Sequence, residues 1–357
     1  MTVIGQSLAE GAAGIALLHL ETGDEYAVLA QLEQAAEGGV TVADNASLYF
    51  GAPALAFVLA ATDKPHLARA RALAAEGTGI VTRRKLEAAH RRIDQRRRPH
   101  YAEFDLIRGL TGLGVALRRL GDVDLLRAVL AYLVRLTEPI GPLPGWWCPS
   151  GPRRDRPGPP GGHSNHGIAH GITGPLALLA LARLDGLHVD DHLGAMMRIL
   201  RWLDTWQRRT FDGSAWWPPT LDRADLDLGT HTDPGPGRPS WCYGTPGISR
   251  TLQLAARALG DPTRQNQAEA AFIRCIDDPA RTRLLTDQSL CHGTAGLMAT
   301  GRRIAADALV PVSVEPLLEL HRTTTRPSQA GLLNGRAGAD LALVGTATSW
   351  DACLLLC

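Results

Sequence analysis

The sequence predicts an all-α protein of paired helices in a repeating array, on three observations. A Gly-x-x-Gly element or close variant, each followed by an apolar helix-forming run, occurs seven times in 357 residues. The first glycines stand at positions 11, 51, 109, 171, 244, 293 and 335, a period near 50 residues. Such a unit has room for two helices and their connections, and repetition at this scale marks a solenoid, an array or a closed ring. Between the elements lie Ala/Leu/Arg-rich amphipathic stretches such as Pro65 to Glu76, Leu125 to Leu136 and Asp191 to Trp206. These read as helices, and strand signals are sparse.

In chain order the elements are Gly11-Ala-Ala-Gly14, Gly51-Ala-Pro-Ala54, Gly109-Leu-Thr-Gly112, Gly171-Ile-Thr-Gly174, Gly244-Thr-Pro-Gly247, Gly293-Thr-Ala-Gly296 and Gly335-Arg-Ala-Gly338. The second is the weakest match, ending in Ala54 after Pro53. Glycine suits the start of an inner helix because it removes bulk where segments converge, and the helix N-terminus offers unpaired N–H groups and a positive dipole end. Seven such ends at one mouth would form a shared basin. Two stretches break the helical pattern: Gly141 to Asn165, with Trp146, Trp147 and Cys148, and Phe211 to Ser240, with Trp216 and Trp217. Their Pro/Gly content predicts long loops, and loops placed just before glycine elements suit the walls of a substrate site.

Composition narrows the function. Lys and Arg total 37 against 36 Asp and Glu, so no overall field favours nucleic acid or an anionic membrane. No apolar run approaches the roughly 20 residues that span a bilayer, and the N-terminus lacks a secretion signal, so the cytoplasm is expected. Six cysteines at 148, 242, 275, 291, 353 and 357 lie far apart, which in a reducing compartment favours free thiols or metal ligands over disulfides. The local basic cluster Arg83-Arg84-Lys85, Arg91-Arg92 and Arg96-Arg97-Arg98 reads as a solvated helix face, with a docking surface for an acidic peptide or a partner enzyme as the competing account.

Trp241-Cys242-Tyr243-Gly244 and Cys291-His292-Gly293 put soft or borderline ligands at the front of two successive repeats. Two thiolates and an imidazole, with a fourth position open, is the pattern of catalytic zinc. Each cysteine alone reads more readily as a small apolar filler than as a ligand. His163 and His166 are alternative ligands close in sequence to His170.

These segments, with Ala169-His170-Gly171-Ile172-Thr173-Gly174 and the closing Trp350-Asp351, resemble the lanthionine synthetase C-like family over nearly the whole chain from about Ser7. The resemblance implies a single α/α toroid domain over 1–357, of about seven inner and seven outer helices, with one zinc ion at its mouth. Only ten residues precede Gly11, fewer than the family pattern has there, so a ring with or without its first outer helix is compatible with the sequence. The implied zinc ligands are Cys242, Cys291 and His292. His170 is the implied acid/base, with Asp105, Tyr243 and Arg238 beside it.

The implied activity is a zinc-dependent peptide cyclase: cysteine thiols add to dehydroalanine or dehydrobutyrine and close thioether rings. The implied substrate is a dehydrated precursor peptide, with a separate dehydratase and an exporter as partners and a place at the edge of a membrane-associated biosynthetic complex. Glutathione addition to dehydrated residues uses the same chemistry, and a noncatalytic zinc peptide-binding scaffold is the alternative outside enzymes. Helical rings that act as glycosidases or terpene cyclases need carboxylate pairs in the cavity, which Asp225 and Asp227, or Asp190 and Asp191, do not supply from their positions in sequence.

Overall fold

The computed structural model describes residues 5–151, 158–232 and 235–357. Each glycine element opens an inner helix, and six of these are followed by an outer one. In order the helices of the ring are α1 (Ala12–Thr22), α2 (Glu25–Ala36), α3 (Ala52–Leu59), α4 (Ala68–Asp94), α5 (Leu110–Leu120), α6 (Val123–Leu136), α7 (Thr173–Leu184), α8 (His192–Thr205), α9 (Thr245–Leu259), α10 (Pro262–Ile276), α11 (Thr294–Asp307), α12 (Glu315–Thr323) and α13 (Arg336–Val344), with short helical turns at Tyr101–Phe104, Arg223–Leu228 and Pro279–Thr282 in the connections. Odd-numbered helices are inner and even-numbered ones outer. Around the ring α1 packs on α3, α3 on α5, α5 on α7, α7 on α9, α9 on α11 and α11 on α13. Helix α13 packs back on α1 and closes the toroid. Among the described residues the segment before Gly11 forms turns rather than a helix.

A two-residue signal makes the hairpins. Helices α1, α5 and α9 end at Gly23, Gly121 and Gly260, all left-handed with φ of 75°, 73° and 66°. The next residue is in each case an aspartate, Asp24, Asp122 or Asp261, whose side chain caps the following outer helix. Glycine stops one helix without a Cβ penalty and aspartate satisfies the N–H groups of the next, so the chain reverses within two residues.

The glycine elements solve a packing problem. A Cβ added at Gly14, Gly112, Gly174, Gly247, Gly296 or Gly338 would stand 1.9–2.6 Å from the carbonyl oxygen of the residue six positions earlier. The turn leading into each inner helix therefore lies directly on the first helical turn. At the weak second element the path differs, with Gly51 at φ 77°, and there Ala54 is accommodated.

The two long loops carry more structure than their composition predicts. β1 (His163–Asn165) pairs antiparallel with β4 (Thr220–Asp222), and β2 (Arg208–Arg209) with β3 (Ala215–Trp216). The basic cluster is divided: Arg83, Arg84, Arg91, Arg96 and Arg97 are exposed, as a solvated face requires, whereas Lys85, Arg92 and Arg98 turn inward. Arg92 pairs with Glu103 at 2.7 Å, Arg98 donates to the Ile140 carbonyl at 2.7 Å, and Lys85 donates to the Arg108 carbonyl at 2.8 Å. No helix among the described residues is long and apolar enough to cross a membrane.

The C-terminal segment is built into the interior. Trp241 Nε1 donates to the Leu354 carbonyl at 3.0 Å, Arg250 to that of Leu356 at 2.7 Å, and Tyr49 to that of Cys353 at 2.8 Å. Asp351, fully buried, receives two bonds from Arg303 at 2.6 and 2.7 Å. Removing one partner of a buried pair leaves the other uncompensated. Asp351→Ala is therefore expected to lower unfolding free energy by about 3–5 kcal/mol, read as a drop in the urea midpoint.

Candidate metal centre and active site

The repeat itself brings the candidate ligands together. Ala169, Cys242, Cys291, Leu333 and Ala9 each stand five residues before the last glycine of their element. Their backbones form a chain of hydrogen bonds around the mouth: Ala169 N to Cys242 O (3.5 Å), Cys242 N to Cys291 O (3.3 Å), Cys291 N to Leu333 O (2.9 Å) and Leu333 N to Ala9 O (2.9 Å). Equivalent residues of adjacent repeats thus become neighbours. Cysteines in that place in two consecutive repeats must face each other, and His292 follows the second.

One donor atom each from Cys242, Cys291 and His292 lies within 4.8 Å of the other two, a group able to hold a metal ion. Both cysteines are free thiols. The hydrogen bond from Cys291 draws Cys242 down to about 7, helped by Ser240, whose Oγ is 3.6 Å away, and by the Arg238 charge. The same hydrogen bond, with burial, drives Cys291 up. Burial, then Arg238, lowers His292, which keeps its imidazole neutral with a lone pair to give. Two thiols and a neutral imidazole match the soft-to-borderline preference of zinc.

Beside this group stands a histidine–carboxylate pair. His170 Nδ1 lies 2.7 Å from Asp105 Oδ2. Asp105 Oδ1 accepts the N–H groups of Arg108 and Gly109, each at 2.7 Å, so one oxygen shapes the turn into α5 and the other orients the imidazole. Burial raises the Asp105 carboxyl despite these bonds. His170 is partly exposed at 30% while Asp105 is at 0%, which leaves Nε2 for a substrate. Tyr101 meets the His170 ring edge-on at 5.6 Å between centroids, and Tyr243 lies at 6.3 Å. Burial pushes the Tyr243 hydroxyl well up, so it remains a donor. Arg238 lines a cavity of about 190 Å³ with Tyr243, Trp216, Trp217 and Arg281, in line with a walling role for the second loop.

His163 and His166 lie outside the metal group. His166 is spent on structure: Nδ1 meets the Pro218 carbonyl at 2.8 Å and Nε2 accepts from Trp202 at 2.9 Å. Burial lowers it to about 4. The unfolded histidine, near ~6.5, takes up a proton that the folded one refuses. Stability from this group is full above that value and is lost as pH falls, by about 2 kcal/mol between pH 7 and 5. Urea midpoints at the two pH values should differ, and His166→Gln should narrow the difference. Asn165, Lys85 and Tyr101 also border the His170–Asp105 pair and its neighbour Tyr243, a place that residue type alone does not reveal. Lys85 acts electrostatically on Asp105, and Asn165 Nδ2 donates to the Tyr243 hydroxyl at 3.0 Å.

Fold and site together define a class: a closed α/α toroid with a sulfur–imidazole group able to hold a metal and a histidine–carboxylate pair at one mouth. The chain belongs to the lanthionine synthetase C-like family, whose model, described as lanthionine synthetase C-like protein, matches residues 2–308. It is 25% identical over 203 residues to the nisin biosynthesis protein NisC of Lactococcus lactis subsp. lactis, a match covering 55% of this chain and 48% of that protein. The aligned region thus spans about half the length of that relative. A solved structure of nisin cyclase superposes with a TM-score of 0.82 at 21% identity, covering 100% of this chain and 93% of that one. That likeness carries the fold.

Proposed function

We propose that the protein is a zinc-dependent peptide cyclase that closes thioether rings in a dehydrated precursor peptide. The observation that carries this reading is the meeting of Cys242, Cys291 and His292 beside the His170–Asp105 pair. Zinc held by those three residues would keep an incoming cysteine ionised at neutral pH, where a free thiol near ~8.5 is mostly protonated. The reaction is a net addition. A sulfur–Cβ bond forms, the Cα=Cβ double bond is lost, Cα gains a proton and nothing leaves.

Each remaining role falls to a residue of this chain. His170 delivers the proton from Nε2, and Asp105 holds the ring by Nδ1 and stabilises its charged form. As the β-carbon is attacked, negative charge develops on the carbonyl oxygen. Arg238 and Tyr243 are the donors for that oxygen. The Trp216-Trp217 loop limits water at the cavity.

The test is incubation of the purified chain with a peptide carrying one dehydroalanine and one cysteine. Loss of free thiol without change of mass supports cyclisation. A mass gain with added glutathione, without ring closure, favours the conjugating alternative. Binding with neither outcome rejects catalysis and leaves a scaffold.

A further inference from the structure

We propose, resting on the cyclase reading, that Asn165 is a positioning residue that fixes the direction of the Tyr243 proton. Asn165 is 2% exposed and has a structural counterpart in another repeat. Its Oδ1 accepts the N–H of Gly167, two residues on, at 2.9 Å, and Asp287 Oδ1 accepts that of Ser289, also two on, at 2.8 Å. A Cβ on Gly171 would meet Asn165 Oδ1 at 2.5 Å, and one on Gly293 would meet Asp287 Oδ1 at 2.4 Å. Asn165 and Asp287 thus build the same turn, six residues before the first glycine of their elements.

The turn needs only the acceptor oxygen, which either residue type supplies. What differs is the second side-chain atom. With Oδ1 committed to Gly167, Nδ2 faces Tyr243 and donates to its hydroxyl oxygen at 3.0 Å. That oxygen then accepts from Asn165, and its own O–H is left to donate elsewhere. An aspartate there would reverse the bond and draw the tyrosine proton to itself. The ring is held against the same loop, since a Cβ on Gly167 would stand 2.8 Å from Tyr243 Cδ1. Asn165 and Gly167 together aim one hydroxyl donor toward the site where His170 works.

The experiment compares N165D, N165A and Y243F in the full chain, measuring kcat and KM for the single-ring peptide, zinc content and thermal midpoint. N165D keeps the turn, as Asp287 does, yet is expected to lose kcat roughly as far as Y243F, about 10²-fold, with KM within about twofold and zinc unchanged. N165A, which frees the hydroxyl without capturing it, is expected to fall between. A role in the turn alone predicts the reverse order, so N165D at least as active as N165A overturns the proposal. Should N165D fail to fold, N165A/Y243F decides: kcat equal to that of Y243F supports the proposal, and losses that multiply overturn it. No ring formation by the unaltered protein defeats the cyclase reading and this one with it, whereas a working cyclase with an active N165D defeats this one alone.

Discussion

Cys291→Ala is expected to strip the protein of its metal and to cut ring formation by about 10³-fold or more. The backbone of Cys291 is tied by its N–H to Leu333 and by its carbonyl to Cys242, and alanine keeps both bonds, so the mouth retains its shape. What is lost is one of two sulfurs in a three-donor group. Cys242 and the neutral His292 alone hold a divalent ion weakly, and the incoming thiol returns to its ordinary, mostly protonated state. Metal analysis and mass spectrometry after thiol alkylation measure the two effects separately. Full metal occupancy with normal ring formation would contradict the assignment.

Asp105→Asn is expected to lower kcat by roughly 10²–10⁴-fold while leaving zinc content unchanged. Asparagine can keep its oxygen on the N–H groups of Arg108 and Gly109, so the turn into α5 survives. Its amide then points a donor at His170 Nδ1, where the carboxylate had accepted. The imidazole is forced to carry its proton on Nε2, and its charged form loses the carboxylate that stabilises it. An Asp105→Asn protein within about threefold of wild type, against the 10²–10⁴-fold expected of a general acid–base pair, would show that the pair serves the fold alone.

Much of the architecture was legible because the repeat is written in glycine. The last glycine of each element lies under a carbonyl six residues back, a contact that no other side chain permits, so the sequence marks every inner helix except the variant at Ala54. The Gly-Asp pairs at 23–24, 121–122 and 260–261 mark the hairpins in the same direct way. Helix α4 was harder to read. Gly77 and Gly79 look like a break after Glu76, yet the helix runs on to Asp94. A Cβ at Gly77 would stand 2.8 Å from that of Ala52, so tertiary packing selects the glycine and overrides its poor helix propensity.

The site was legible in part for the same reason. Cys242 and Cys291 share one position in consecutive repeats, which alone predicts their meeting. The pairing of Asp105 with His170 spans 65 residues and two repeats whose leading turns differ, so residue spacing carries no such signal. There the family resemblance supplied the roles. Asn165 escaped notice because its partner Tyr243 lies 78 residues away. Comparison with Asp287 in the repeat two elements on would have exposed it.

The central claim is that two sulfurs and one imidazole of this chain hold a zinc ion. X-ray absorption at the zinc edge of the purified full chain tests it most directly. One zinc per chain with a shell of two sulfurs near ~2.3 Å and nitrogen or oxygen near ~2.0–2.1 Å is the expected result. A protein that binds no zinc, or binds it without sulfur neighbours, would contradict the account.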